Sequence, residues 1–411
     1  MEMSMVGSNG PRALVVGMGI AGLTTALRLH EIGWSPVLLE RSQQRRMGGY
    51  FIGLFPTGVS AAERLGVLGA IGDRTHREAT TYDISRSGRK RPGLGFGDIP
   101  GSPRLILRGD VEAALYAAAG SVSEQRFGST PVEIVEHPDG VEVTIRTTTT
   151  DGEVTETTEH FDLVVGADGV RSTVRRLRFG PDEDYLSSMN HIAAATILQS
   201  PAAGYTASDG LVLAEPGRAL WVFPFVNHLP GVMMSYRTSD EASELRLRPV
   251  DALRRAFGPA PLGPVLTDVL DQFDASDDVL FDSTHQVVMP RWHSDRTVLV
   301  GDAAWCLTLF SAMGASSALA GGDYLGSALQ RNAGNTPRAL REWEGRMRPF
   351  VDQLQKVGRK DITMFVPQTR RDKLNRTVLQ SVFGTPWGKQ LARRAFADKP
   401  DDPRSIDIAA A

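Results

Sequence analysis

The chain has a single cysteine, Cys306, in 411 residues. No internal disulfide can form, cysteine-cluster metal sites are excluded, and a reducing cytoplasm is the expected setting. Neither sign of charge is in excess: 45 Lys and Arg against 48 Asp and Glu leave a net −3. That balance argues against nucleic-acid binding as the main role. No apolar run approaches the roughly 20 residues of a membrane span. The opening "MEMSMVGSNGPR" lacks the apolar segment of a signal peptide. No G-x-S-x-G, Walker sequence or zinc-type His/Cys spacing occurs, so the usual serine-hydrolase, P-loop and zinc chemistries have no carrier. What remains is a globular composition, 41% hydrophobic and 23% charged, over a length that calls for two domains.

"ALVVGMGIAGLTTALRLHEIGWSPVLLER" (Ala13 to Arg41) begins apolar, breaks at three glycines and ends on an acid. Ala13 to Gly17 reads as a buried strand, Ile20 to Ile32 as a helix, and "SPVLLE" as a second strand ending at Glu40. Gly17, Gly19 and Gly22 form G-x-G-x-x-G within that βαβ unit. Gly17 permits the tight turn, Gly19 lets a pyrophosphate approach the backbone, and Gly22 lets helix and strand pack closely. The helix start offers unpaired N–H groups and a positive dipole end to phosphates. Glu40 stands where an acid accepts from a ribose hydroxyl. The pattern predicts a dinucleotide site without choosing between NAD and FAD.

Two more strands end in an aspartate. "FDLVVGADGVRS" (Phe161 to Ser172) leads into a Gly-Asp-Gly turn and a helix start, and "TVLVGDAAWCLTLFSAMGASSALAGG" (Thr297 to Gly322) into Gly-Asp and a glycine-bearing loop. Each Asp falls at the carboxyl end of a parallel strand, where open α/β sheets bind ligands; the competing reading is a helix N-cap. In this order the three segments resemble the flavoprotein monooxygenases of the aromatic-hydroxylase type, with a para-hydroxybenzoate-hydroxylase-like fold. The resemblance implies one FAD, hydride from NAD(P)H, and oxygen transfer from O2 to a small aromatic or polyketide-like substrate through a flavin hydroperoxide. It assigns cofactor contacts to Gly17, Gly19, Ile20, Ala21, Gly22, Glu40 and Arg41. It places Asp168 and Gly169 against both FAD and NAD(P)H, and Gly301 and Asp302 against the ribityl and pyrophosphate part. "LILRGDVEAAL" supplies Arg108 on the flavin side, "RRMGGYFIGLFPTG" puts Gly48 and Gly49 beside the isoalloxazine ring, Gly314 opens a helix near the flavin, and Val132 is an adenine-side backbone contact. The sequence departs from the family where His or Tyr and a Pro usually follow Gly-Asp-Ala-Ala: here stand Trp305, Cys306, Leu307 and Thr308. The later Asp of that helix is replaced around Gly321.

The fold class expected is α/β: a Rossmann-like FAD-binding domain (1–79, 101–186, 291–335) interleaved with a mixed-sheet substrate domain (80–100, 187–290), then C-terminal helices (336–411). Within the substrate domain, helical patterns interrupt the strands near Val250 to Phe257 and Val265 to Phe273, and "TTYDISRSGRK" is expected to join its sheet. Several residues carry two readings. Arg171, Arg175 and Arg178 are a landing site for NADPH phosphates or, the favoured reading, a salt-bridged face. Arg45 and Arg46 share that ambiguity. Trp305 packs near the flavin or fills core. Trp221, Phe223 and Phe225 line a cavity or, more safely, the sheet core. His191, His228, His285 and His293 are candidate bases, each more often structural, so no catalytic acid or base is assigned. An FAD-linked dehydrogenase, or a structural flavin beside a ligand-binding cavity, is the alternative; "WVFPF" does not match the Trp-x-Trp-x-Ile-Pro signature of a halogenase.

Overall fold

The strand–turn–helix–strand opening forms as its pattern predicts: strand Arg12–Val16, helix Ile20–Glu31, strand Ser35–Leu39. The computed structural model describes residues 10–45, 48, 50–95, 101–383 and 402–409. Five short strands make an all-parallel sheet in the order Thr297–Leu299, Leu163–Gly166, Arg12–Val16, Ser35–Leu39, Glu124–Arg126. Their apolar runs are buried on both faces, as a sheet covered by helices requires. An antiparallel ribbon, Ser129–Glu136, Val141–Thr148 and Val154–Phe161, grows out beside it.

The second sheet has seven strands, ordered Leu280–Val287, Leu186–Ile197, His228–Arg237, Arg218–Phe225, Asp209–Glu215, Thr80–Ile84, Lys90–Pro92. The early segment around Thr80 therefore does join a sheet built from later chain, through parallel pairing with Asp209–Glu215. Alternation sorts its two faces. Phe223 and Met233 belong to the core shared with the parallel sheet, whereas Val222 and Val232 belong to a second core. That second core is closed by helices Pro249–Phe257 and Pro264–Asp274, each opened by a proline whose missing N–H costs nothing in the first turn. The C-terminal region is helical over Thr336–Phe365 and Arg370–Phe383. Among the described residues no helix is long and apolar enough to cross a membrane.

The two departures in the third motif explain each other. Trp305 is buried in a cluster with Trp292 and Trp343, ring centroids 4.9 and 5.8 Å away. A Cβ on Gly321 would lie 2.8 Å from the Trp305 ring, and the Gly321 carbonyl accepts from Trp343 Nε1 at 2.9 Å. A larger residue at 321 and an indole at 305 cannot coexist. Gly321→Asp should lower stability by about 3 kcal/mol, through overpacking and a buried unpaired carboxylate. Thermal unfolding checks it: an unchanged Tm would contradict the packing account.

Candidate flavin site

The three glycine corners meet. A Cβ on Gly17, whose φ is +103, would lie 2.5 Å from the Ala167 carbonyl oxygen, so the first turn touches the second. One on Gly301, φ +67, would lie 2.8 Å from Ala21 Cβ, so the third touches the first. Gly22 packs on Gly17, where a Cβ would come within 1.9 Å of its oxygen. These close approaches are what the motif's glycines permit. Arg175 braces the second corner to the third. Fully buried, it donates to the carbonyls of Val170 at 2.6 Å and Ala303 at 2.8 Å, and pairs with Asp182.

A trench runs along these corners in two lobes of about 330 and 370 Å³, the size range of small-molecule sites. Gly17, Glu40, Arg41, Gly48 and Asp168 line the more polar lobe. Ile20, Ala21, Asp302 and Gly314 line the apolar one. Gly19, Arg108 and Gly169 border both. Space is open where a Cβ would stand on Gly19, Gly169 or Gly314. Gly22 and Gly301 lie behind the wall as packing residues, and Gly49 and Arg46 fall outside the described residues. Val132 stands at a bulge in the ribbon, where the trench wall is made by its neighbours Ser129, Thr130 and Pro131.

The acids differ in how free they are. Glu40 accepts from Ser42 N at 2.9 Å and from Met18 N at 3.3 Å, so it fixes the glycine turn while facing the polar lobe. Glu40→Ala should weaken FAD binding by about 1–3 kcal/mol, the range for a lost hydrogen bond that strands its partner. Equilibrium FAD titration measures it, and an unchanged Kd would remove Glu40 from the site. Asp168 is consumed internally: one oxygen accepts from Ser172 Oγ at 2.5 Å, the other from Thr173 N at 2.6 Å and Val174 N at 3.2 Å. It caps a helix start and so shapes the corner. Gly48 also differs from expectation. The space its Cβ would need is taken by the Asp278 carboxylate, 2.0 Å away.

Where the lobes join, Arg108, Tyr50 and Asp302 form a charged knot. Arg108 ends the strand Arg104–Leu107 and opens the helix Arg108–Ala119; its N–H donates to the Tyr50 carbonyl at 3.0 Å. Its guanidinium pairs with Glu112 at 2.9 Å and lies 5.9 Å from the Tyr50 ring. Burial works against its charge, but Tyr50, Glu112 and Asp302 outweigh that and raise its pKa. Burial raises Asp302 above the usual carboxylate range against the pull of Arg108, although its side chain is open to the trench. Burial likewise raises the Tyr50 hydroxyl. Sequence reasoning passed over Tyr50; its place directly after the Gly48–Gly49 pair was the available signal.

The trench also holds unmet polar atoms. Arg45 Nε is buried in the polar lobe without a hydrogen-bond partner among the described residues, its guanidinium 5.2 Å from the Tyr116 ring. Thr308 Oγ1 is likewise buried and unpaired, on a residue held at φ +68 in the wall of the apolar lobe. Unsatisfied groups and left-handed β-branched residues gather where a ligand completes the site. A long, polar-then-flat cofactor fits this lining.

Other candidates resolve as structure. Arg171 pairs with Asp282 and Arg178 with Glu136, the salt-bridged reading. Trp305 is core. Of the aromatic strand, Phe223 faces the apolar lobe while Trp221 donates to the Phe365 carbonyl. His191 bonds the Met189 carbonyl, His228 the Leu229 carbonyl and His293 the Ser294 carbonyl. His285 is in the strand that walls the apolar lobe, but its ring meets Ser283 and Glu241. Ser283 and His285 are both in that wall. Among the described residues no cluster of His, Cys, Asp or Glu could hold a metal ion.

A doubly wound sheet with three glycine corners on one trench defines a dinucleotide-binding flavoprotein. A family model described as an FAD binding domain matches residues 12–355, and the chain belongs to that family. A flavin-dependent monooxygenase from an unknown prokaryotic organism is 28% identical over 84% of this chain and 88% of its own length. An FAD-dependent monooxygenase of Sarocladium schorii is 24% identical over 84% and 85%. Among solved structures, tetracycline destructase Tet(51) is 26% identical with a TM-score of 0.71, covering 94% of this chain and 97% of that one. Klebsiella pneumoniae HpxO, complexed with FAD and uric acid, shares the fold at 20% identity and a TM-score of 0.74 over 95% of each chain. FAD is the cofactor these residues fit.

Proposed function

We propose that the protein is an FAD-dependent monooxygenase that uses NAD(P)H and O2 to hydroxylate or epoxidise a small aromatic or polyketide-like molecule. The observation that carries this reading is the single trench, polar at one end and apolar at the other, with the Arg108–Asp302 knot between them. When bound, FAD supplies the redox chemistry, taking up hydride and activating oxygen. The chain supplies the rest. Open backbone at Gly19 and the helix start at Ile20 receive the pyrophosphate, and Glu40 accepts from ribose. Gly314 opens an 18-residue helix whose N-terminal dipole end faces the flavin end of the trench. Asp302 accepts from ribityl hydroxyls, and Arg108 keeps the buried acids balanced. The apolar wall excludes water and orients the substrate.

Trp305 and Thr308, as departures from the family's third motif, would favour a silent structural flavin; Trp305 belongs to the tryptophan cluster, which removes half of that support. The test is anaerobic reduction of the FAD-loaded protein by NADPH, followed by turnover under labelled O2. Reduction and one labelled oxygen in the product are expected. Oxygen consumed without incorporation would make the protein a dehydrogenase or oxidase, and no reduction by either nicotinamide would make the flavin structural.

A further inference from the structure

Among the described residues, the arginine in the wall of the apolar lobe is already paired. The lobe's floor is a slot: Ala193 and Ala195 stand opposite Asp282 and Leu280, and Phe51 and Phe223 lie with ring centroids 3.8 Å apart. Small residues on one side and aromatic faces on the other suit a flat ring. The cations bordering the lobe among the described residues each have a carboxylate partner. Arg108, in the lobe's wall, pairs with Glu112 at 2.9 Å; Asp282, also in that wall, is held through both oxygens, at 2.9 and 2.8 Å, by Arg171, which lines the adjoining polar lobe. Asp302 faces the same space as a further acid. His285, also in the lobe's wall, is engaged with Ser283 and with the carboxylate of Glu241.

We infer that the lobe takes an uncharged planar ring system and rejects carboxylated ones, with the Arg171–Asp282 pair setting that selectivity. The inference rests on the proposed FAD-dependent reading and names its substrate class. A carboxylate in this lobe would be desolvated among apolar side chains, near two acids, with no free arginine or lysine in the lobe's wall among the described residues, which is the costly case for burying charge. A neutral phenol, quinone or polycyclic ketone meets no such penalty. Asp282 keeps Arg171 from acting as an anion receptor, as a carboxylate partner satisfies a guanidinium bidentately.

The test uses the FAD-loaded protein and matched pairs of rings: naphthol against hydroxynaphthoate, and dihydroxyanthraquinone against its monocarboxylate. Binding is read from the change in flavin absorbance on titration and repeated by calorimetry. The neutral member of each pair should bind at least about 30-fold more tightly, the scale of a buried unpaired charge. In Asp282→Asn, which frees Arg171, the ratio should fall below about 5-fold because the carboxylate gains a partner. Equal or tighter binding of carboxylates by the wild-type protein, binding by neither series, or an unchanged ratio in Asp282→Asn overturns the inference. Protein that takes up no FAD fails earlier, at the functional reading itself.

Discussion

Gly19→Val should give a chain that folds normally and stays colourless. The fold has room for the new side chain: nothing lies within 4 Å of a Cβ built on Gly19, and its backbone is extended at φ −83, ψ −172. On the proposed reading the cofactor would not have room, because that open space is where the pyrophosphate would meet the backbone. Loss of FAD affinity by at least about 100-fold is expected, close to 3 kcal/mol. Circular dichroism and thermal unfolding of the apo-protein should match wild type. Gly22→Val is the contrasting control. Its Cβ would fall 1.9 Å from the Gly17 oxygen, so that variant should lose the fold together with the flavin. A yellow, fully loaded Gly19→Val protein would show that the pyrophosphate lies elsewhere.

Arg108→Met should be costly in a pH-dependent way. Arg108 is the cation that the Asp302, Glu112 and Tyr50 side chains share. Removing it leaves only the Cys306 hydrogen bond to offset burial at Asp302, so its already raised folded-state pKa climbs further. Between the ordinary carboxylate value and that raised value, the folded state holds a proton that the unfolded state has released. Stability therefore falls as pH rises through this window and is regained on acidification. Apo Arg108→Met should be about 2 kcal/mol less stable than wild type at pH 8, water in the open trench screening the rest, and closer to wild type at pH 5. Denaturant unfolding at both pH values measures this. A deficit that is equal at both, or larger in acid, would show that Arg108 does not balance a buried acid here. FAD loading should fall in parallel, since the knot sits where the lobes join.

The local repeats of apolar and glycine residues made the parallel sheet legible. A buried strand, a G-x-G-x-x-G turn and an acid follow from backbone requirements that one segment states in full, and Gly17, Gly19 and Glu40 occupy the places those requirements assign. Thr80–Ile84 was legible as a strand by alternation; one partner, Lys90–Pro92, is close by in sequence, but the other, Asp209–Glu215, comes more than a hundred residues later. What was not legible depends on side chains meeting across such distances. Asp168 lines the polar lobe and also caps a helix start, and only the positions of Ser172 and Thr173 reveal the cap. Gly48 reads as a neighbour of the ring; the structure sets it in the wall of the polar lobe, with the Asp278 carboxylate where a Cβ would stand. Val132 shifts off the trench because a bulge between Pro131 and Glu133 displaces it. The pairing of Trp305 with Gly321 looks in sequence like two unrelated losses from a motif. Tyr50 carried no pattern at all beyond its neighbours.

The central claim is that three corners, far apart in sequence, hold one extended FAD. A crystal structure of the FAD-loaded protein tests it most directly. One FAD per chain should lie along the trench, its ribose on Glu40, its pyrophosphate over Gly19 and its isoalloxazine ring between Gly314 and the apolar lobe. A flavin lodged outside that trench, or lying in it with its ring at Glu40, would contradict the account.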